Sequence, residues 1–170
     1  MNKKPLLFAS SEVYPFVKTG GLADVSHSLP KALGETYEVR VVLPLYQSID
    51  RKRFNIKLME SFEVIMGGIT YAVELHGTRY EDGEYRFFYL PLLCDREFLY
   101  GPPECGYEDN ALRFALFSYA VTEMLRRESY CVAHLNDWQC ALVALLVKED
   151  PTISTKTLYT IHNLAYQGVF

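Results

Sequence analysis

Apolar positions along this chain fall into two rhythms. Short unbroken runs mark buried strands, and stripes at helical spacing mark the elements between them. Leu6, Leu7, Phe8 and Ala9 form the first run. A continuous run of that length suits a parallel strand covered on both faces. Ser10, Ser11 and Glu12 open a loop that passes Pro15 and reaches Gly20 and Gly21. Leu22, Val25, Leu29, Ala32 and Leu33 then recur at helical spacing. Pro30 lies inside that stripe and should kink the helix or start a new turn, because it lacks an N–H and clashes with the preceding turn. Gly34 suits the C-cap. Val39, Val41, Val42, Leu43 and Leu45 form a second buried strand around Pro44. Strand, loop, helix, strand is the opening of a doubly wound sheet.

The middle of the chain partly alternates. Phe54, Ile56, Leu58, Phe62, Val64 and Ile65 precede Gly67-Gly68, and Ile69, Tyr71, Val73 and Leu75 follow it. Asp82-Gly83 then separates two strand-like flanks, a hairpin signal. The region reads as antiparallel strands inserted into the α/β frame. Tyr100–Tyr107, with Gly101, Pro102, Pro103 and Gly106, reads as a loop. Asp109 or Asn110 caps a long helix with a stripe of Phe114, Phe117, Val121, Met124 and Leu125, and Arg113, Glu123, Arg126 and Arg127 on its other faces. Cys131–Leu135 reads as a strand. Asn136 or Asp137 caps the next helix, with Ala141, Leu142, Ala144, Leu145 and Leu146 apolar and Pro151 beyond its end. Thr157–Ile161 is a last strand with His162 and Asn163 at its carboxyl end.

Composition narrows the class. Length predicts one domain with a sizeable core. The formal charge of -4 offers no basic footprint for nucleic acid or an anionic membrane. No apolar stretch has the length of a membrane span or a secretory leader. The four cysteines, Cys94, Cys105, Cys131 and Cys140, form no C-x-x-C pair and no zinc spacing, and Cys131 and Cys140 read as small buried hydrophobes. A reducing, cytoplasmic compartment is expected. No metal and no cofactor is called for.

Candidate chemistry collects on three loops. Lys18-Thr19-Gly20-Gly21 precedes the first helix and carries Asp24 just inside it. Glycine permits close backbone approach, and a helix start offers free N–H groups to an anion. Lys18 adds a mobile positive charge. The second loop holds His134, Asn136, Asp137 and Trp138, and the third His162 and Asn163. All three leave the carboxyl ends of predicted parallel strands, where open α/β sheets bind ligands. Single members keep plainer readings. Asp24 also suits a helix first turn, and Asp137 also suits an N-cap. Trp138 also suits a core, and His134 a satisfied structural histidine. His162, after an apolar strand, points into the rim, where a neutral imidazole can donate or accept one hydrogen bond to a hydroxyl. A serine-hydrolase elbow, a P-loop and a G-x-G-x-x-G fingerprint are missing. No carboxylate pair stands out for a glycosidase.

Lys18-Thr-Gly-Gly-Leu-Ala-Asp-Val25, His134-Leu-Asn-Asp-Trp138 and Thr160-Ile-His-Asn-Leu-Ala-Tyr-Gln-Gly-Val-Phe170 resemble, in order, three signatures of the amino-terminal half of bacterial glycogen synthases and plant starch synthases. Asp109–Ser118 is similar to that family's long helix. The resemblance implies a GT-B architecture of two Rossmann-like domains. It implies retaining transfer of glucose from ADP-glucose to the non-reducing end of an α-1,4-glucan, such as glycogen or a maltooligosaccharide. By the same resemblance, His162 and Asp137 are catalytic. Lys18, Gly20, Gly21, Asp24, His134, Asn136 and Asn163 bind substrate. None is a metal ligand.

Two positions depart from the pattern: Asn136 and Gln139 stand where the family often has histidine. Asn and Gln hydrogen-bond but carry no proton at neutral pH. Family members are also roughly three times as long, which adds a second domain. The expectation is an incomplete amino-terminal domain over residues 1–170 whose carboxy-terminal nucleotide-binding partner lies elsewhere. Such a chain alone should be inactive. The other readings are a glucan- or phosphate-binding module and a structural half of a split enzyme.

Overall fold

The computed structural model describes residues 3–169. Seven strands form one sheet: β1 (Lys4–Ala9), β2 (Tyr37–Pro44), β3 (Lys57–Met66), β4 (Ile69–Tyr80), β5 (Gly83–Tyr89), β6 (Val132–Asn136) and β7 (Lys156–Thr160). The helices are α1 (Gly21–Leu33), α2 (Pro91–Cys94), α3 (Asn110–Arg127) and α4 (Trp138–Glu149). The strand order is β3-β4-β5-β2-β1-β6-β7. From β5 to β7 every neighbouring pair is parallel. The β3–β4 and β4–β5 pairs are antiparallel. The fold is therefore the expected mostly parallel α/β sheet with an antiparallel insertion. The insertion proper is β3 and β4, because β5 pairs in parallel with β2 and belongs to the frame.

The sheet has a core on each face, which is why its central strands read as unbroken apolar runs. Leu7, Ala9, Val42 and Phe88 pack with Phe117, Val121 and Val143 on the α3–α4 side. Leu6, Phe8, Val41, Leu43 and Phe87 pack with Val13, Phe16, Tyr46 and Phe54 on the other. The order of strand addition switches sides about β1, with β2 on one side and β6 on the other. The loops after β1 and β6 diverge at that switch point and leave a crevice.

Several local expectations shift. The buried face of α1 is Ala23, Ser26 and Pro30, and Val25 is exposed. Small side chains bring the helix close to the sheet, and Ser26 Oγ donates to Ser10 Oγ at 2.8 Å. The helix runs three residues past Pro30, to Leu33. Arg113, expected on an outer face, is fully buried. Its guanidinium donates to Leu99 O at 2.9 Å, Leu93 O at 2.7 Å and Asn110 Oδ1 at 2.6 Å, pinning the 95–109 segment to α3. Burial lowers its pKa from the usual arginine value. In α4 the buried stripe is Gln139, Cys140, Val143 and Val147, while Leu145 is exposed. Cys140 is buried as expected, and Cys131 only partly so. The hairpin turn before β5 is Glu81-Asp82, one residue earlier than expected, since Tyr80 pairs with Gly83. Gly67 and Gly68 both have positive φ, 60° and 78°, as a two-residue type I′ turn requires.

Candidate active site at the carboxyl rim

β1, β6 and β7 are adjacent and parallel, so their carboxyl ends deliver three polar loops to one rim. Asn136 is fully buried at the end of β6. Its Nδ2 donates to Ala9 O at 3.1 Å and to His134 O at 3.3 Å. Its Oδ1 lies 3.0 Å from His162 Nε2. One amide thereby joins the ends of all three strands. His134 is also buried, shares a 2.8 Å hydrogen bond with Thr160 Oγ1, and meets the Phe8 ring edge-on at 5.0 Å. Burial, and then the nearby His162, lowers its pKa from 6.5, so it stays neutral.

Asp137 carries the most unusual backbone in the rim. Its φ of 62° and ψ of 177° lie in a region that glycine occupies and other residues avoid. Holding a non-glycine there costs about 1–3 kcal/mol. The surroundings enforce it: Asp137 N–H donates to Thr160 O at 2.8 Å, and its carboxyl accepts from Trp138 N–H at 3.0 Å. It is an N-cap, as one reading expected, but an ordinary N-cap needs no strain. The carboxyl is fixed at the mouth of α4 while remaining 7% exposed. Trp138 packs on Phe114 at 5.0 Å and Tyr100 at 6.5 Å between ring centroids, the core role.

Lys18 and Asp24 form an exposed ion pair, with Nζ 2.7 Å from both carboxylate oxygens. The loop between them is shaped from beneath by Glu12, a residue the motif reading missed. Glu12 is 3% exposed. It accepts from Thr19 N–H at 2.5 Å, Thr19 Oγ1 at 2.6 Å, Gly20 N–H at 3.2 Å and Tyr100 OH at 2.8 Å. A signal was present: Ser10-Ser11-Glu12 follows β1 as Asp137 follows β6, a polar cluster directly after a buried strand. Gly20 and Gly21 have open space where a Cβ would stand. Gly20 has φ of −147° and is the N-cap of α1 with no side-chain cap. Neither crowding within the chain nor backbone strain explains glycine there. Asn163 is exposed and accepts from Ala165 N–H at 2.9 Å in a local turn.

The rim therefore gathers Asn136, His134, Asp137 and His162 into one bonded cluster. Among the described residues Lys18 and Asp24 pair only with each other, on the loop that Glu12 shapes, and Asn163 stands apart. Among the described residues there is no group of three or more His, Cys, Asp or Glu placed to hold a metal ion.

Residues 5–170 match the family model described as the starch synthase catalytic domain. The chain belongs to this family. It is 43% identical over 169 residues to glycogen synthase from Aquifex aeolicus, covering 97% of this chain and 35% of that protein. It is 41% identical over 171 residues to glycogen synthase from Oceanobacillus iheyensis, again covering 97% of this chain and 35% of the relative. The starch synthase family chain thus spans about a third of the length of these relatives. Among solved structures it resembles the catalytic domain of starch synthase IV from Arabidopsis thaliana, bound to ADP and acarbose. There the TM-score is 0.86 at 27% identity, over 98% of this chain and 35% of that one. Sucrose-phosphate synthase from Thermosynechococcus elongatus shares the fold, with a TM-score of 0.56 at 15% identity over 99% of this chain and 36% of that one.

Proposed function

We propose that this chain is the amino-terminal part of a cytoplasmic glycogen synthase, a retaining glucosyltransferase of GT-B architecture. It moves glucose from ADP-glucose to the non-reducing end of an α-1,4-glucan. The observation that carries the reading is the rim at the β1/β6 switch point, where an uncrowded glycine loop, a strained Asp137 and the Asn136-held His162 converge. ADP and acarbose, a nucleotide and an oligosaccharide analogue, on the Arabidopsis relative support this ligand class.

The donor diphosphate approaches Gly20 and Gly21, whose missing side chains admit it to the first N–H groups of α1. Lys18 turns from Asp24 to a phosphate oxygen. An exposed ion pair contributes only about 0–1 kcal/mol, so the exchange costs little. Asp137 and His162 face the transferred glucose. As the glucosyl–phosphate bond breaks, positive charge grows at the anomeric carbon, and the Asp137 carboxylate and a neutral His162 stabilise it. His134 stands behind that pair, buried and hydrogen-bonded to Thr160. A carboxy-terminal domain supplies the remaining nucleotide contacts, so this chain alone binds without turning over.

The test is transfer of labelled glucose from ADP-glucose to glycogen. It is run with this chain alone and with the rest of the Aquifex enzyme, the part this chain does not match, supplied in trans. Turnover is expected only with both pieces, and His162→Ala should reduce it at least about 100-fold, as loss of a transition-state contact does. Robust turnover by this chain alone, or a fully active His162→Ala mixture, would overturn the assignment.

A further inference from the structure

The hydrogen-bond chemistry of Asn136 determines which nitrogen of His162 carries the proton. Asn136 Nδ2 faces two carbonyl oxygens, Ala9 O at 3.1 Å and His134 O at 3.3 Å. Carbonyl oxygens only accept. Turning the amide over would press Oδ1 against both, so the partners set its orientation whatever the density of hydrogens. Oδ1 is left facing His162 Nε2 at 3.0 Å. An amide oxygen also only accepts, so Nε2 must donate. A neutral imidazole carries one proton, which leaves Nδ1 as a lone-pair acceptor. No protein group among the described residues hydrogen-bonds to Nδ1.

We infer that Asn136 is a positioning residue that fixes His162 as the Nε2–H tautomer, so that His162 meets its ligand through Nδ1 as the acceptor of a hydroxyl hydrogen. Asn136 is fully buried and its amide is committed to three internal partners, so it acts on a ligand only through this ring. A histidine at position 136 could not reproduce the arrangement, because one imidazole cannot donate to two carbonyls and accept from His162 at once. The lone pair also puts the negative end of the ring toward the ligand. The identification of that ligand as a sugar rests on the function proposed above; the tautomer does not.

The tautomer can be read directly. The chain has four histidines, so long-range ¹H–¹⁵N correlations of the imidazole rings, with His162 assigned by His162→Gln, resolve each ring at pH 8. The expected result is one tautomer for His162, protonated at Nε2, with a ring proton that exchanges slowly with water. A protonated Nδ1, or shifts averaged between two tautomers, would overturn the inference. Asn136→Ala should speed exchange of that ring proton at least about tenfold while the His27 and His76 signals stay in place. A His162 ring that exchanges no faster in Asn136→Ala would also overturn the positioning role. The measurement needs no substrate. A locked Nε2–H ring in a chain that never supports transfer upholds the tautomer and sinks the functional reading, whereas an averaged ring in a transferring mixture does the reverse.

Discussion

The two ends of the sheet are both polar, but in different ways. At the amino end, α1, β2 and the β4–β5 turn enclose a cavity of about 840 Å³. Charged side chains line it, among them the pair of Lys31 with Glu81, both nearly half exposed. Nearby Arg40 pairs with Glu84 at 2.8 Å. At the carboxyl rim the bonds are buried, and many join a side chain to backbone: Glu12 to Thr19 and Gly20, Asn136 to Ala9 and His134. Paired surface charges tolerate exchange, because water and salt replace them cheaply. Buried bonds to backbone fix loop shape and allow no substitute. Thus the amino-end hollow is a solvated seam, and the carboxyl rim is where geometry is enforced.

Substitutions that remove one bonding group at each end should separate the two, and the largest effect should come from Glu12. In Glu12→Gln an NH₂ replaces one of two oxygens that each accept from two donors, and the charge that strengthens all four bonds is lost. A loss of about 3 kcal/mol is expected in urea unfolding. Faster hydrogen exchange should appear first at the Thr19 and Gly20 amides. An unchanged urea midpoint would place the rim in the same class as the seam.

Asp137→Gly should act in the opposite direction. It relieves about 1–3 kcal/mol of backbone strain and gives up a cap and some chain rigidity worth about 1 kcal/mol. A net gain of up to about 2 kcal/mol in stability is expected, together with loss of transfer in the two-piece assay. A destabilised variant would mean that the backbone at 137 is not held against its preference.

His134 should give the rim a pH signature. Its folded pKa lies below 6.5 because burial disfavours the imidazolium, so below that pH the unfolded chain takes up a proton that the folded chain refuses. Its contribution is fully present above pH 6.5 and is lost as pH falls through the depressed folded value. The urea midpoint of the wild type should fall more between pH 7.5 and 5.5 than that of His134→Gln. Equal slopes would contradict a buried neutral ring.

The smallest effect belongs to the seam. Glu81→Gln removes the partner of Lys31, yet Glu81 sits in water at the turn. Its urea midpoint should match the wild type. A clear loss there would erase the contrast between the two ends.

Much of the frame was legible in the chain. Leu6–Ala9 and Val41–Leu43 sit between two cores, and only strands buried on both faces carry such unbroken runs. Paired glycines at 67 and 68 specify a turn that side chains resist. Three motifs marked the loops that meet at the rim, because each lies beyond the carboxyl end of a parallel strand, although β7, unlike β1 and β6, is largely exposed. What stayed hidden depends on partners distant in sequence. Arg113 looked like a surface charge on its helix, and only the carbonyls of Leu93 and Leu99 make a buried guanidinium tolerable. Helix α1 showed a Leu and Val stripe, yet it turns its small face inward because Ser26 finds Ser10. Glu12 carries no motif, and the strain at Asp137 cannot be read from its identity, since both arise where loops from different strands are forced together. Residue periodicity by itself determined the layers and the strand ends at which the polar clusters stand. Tertiary contact decided which carboxyl is strained, which amide orients a histidine and which charge is buried, because hydrogen bonds between remote segments exist only after the sheet has brought them together.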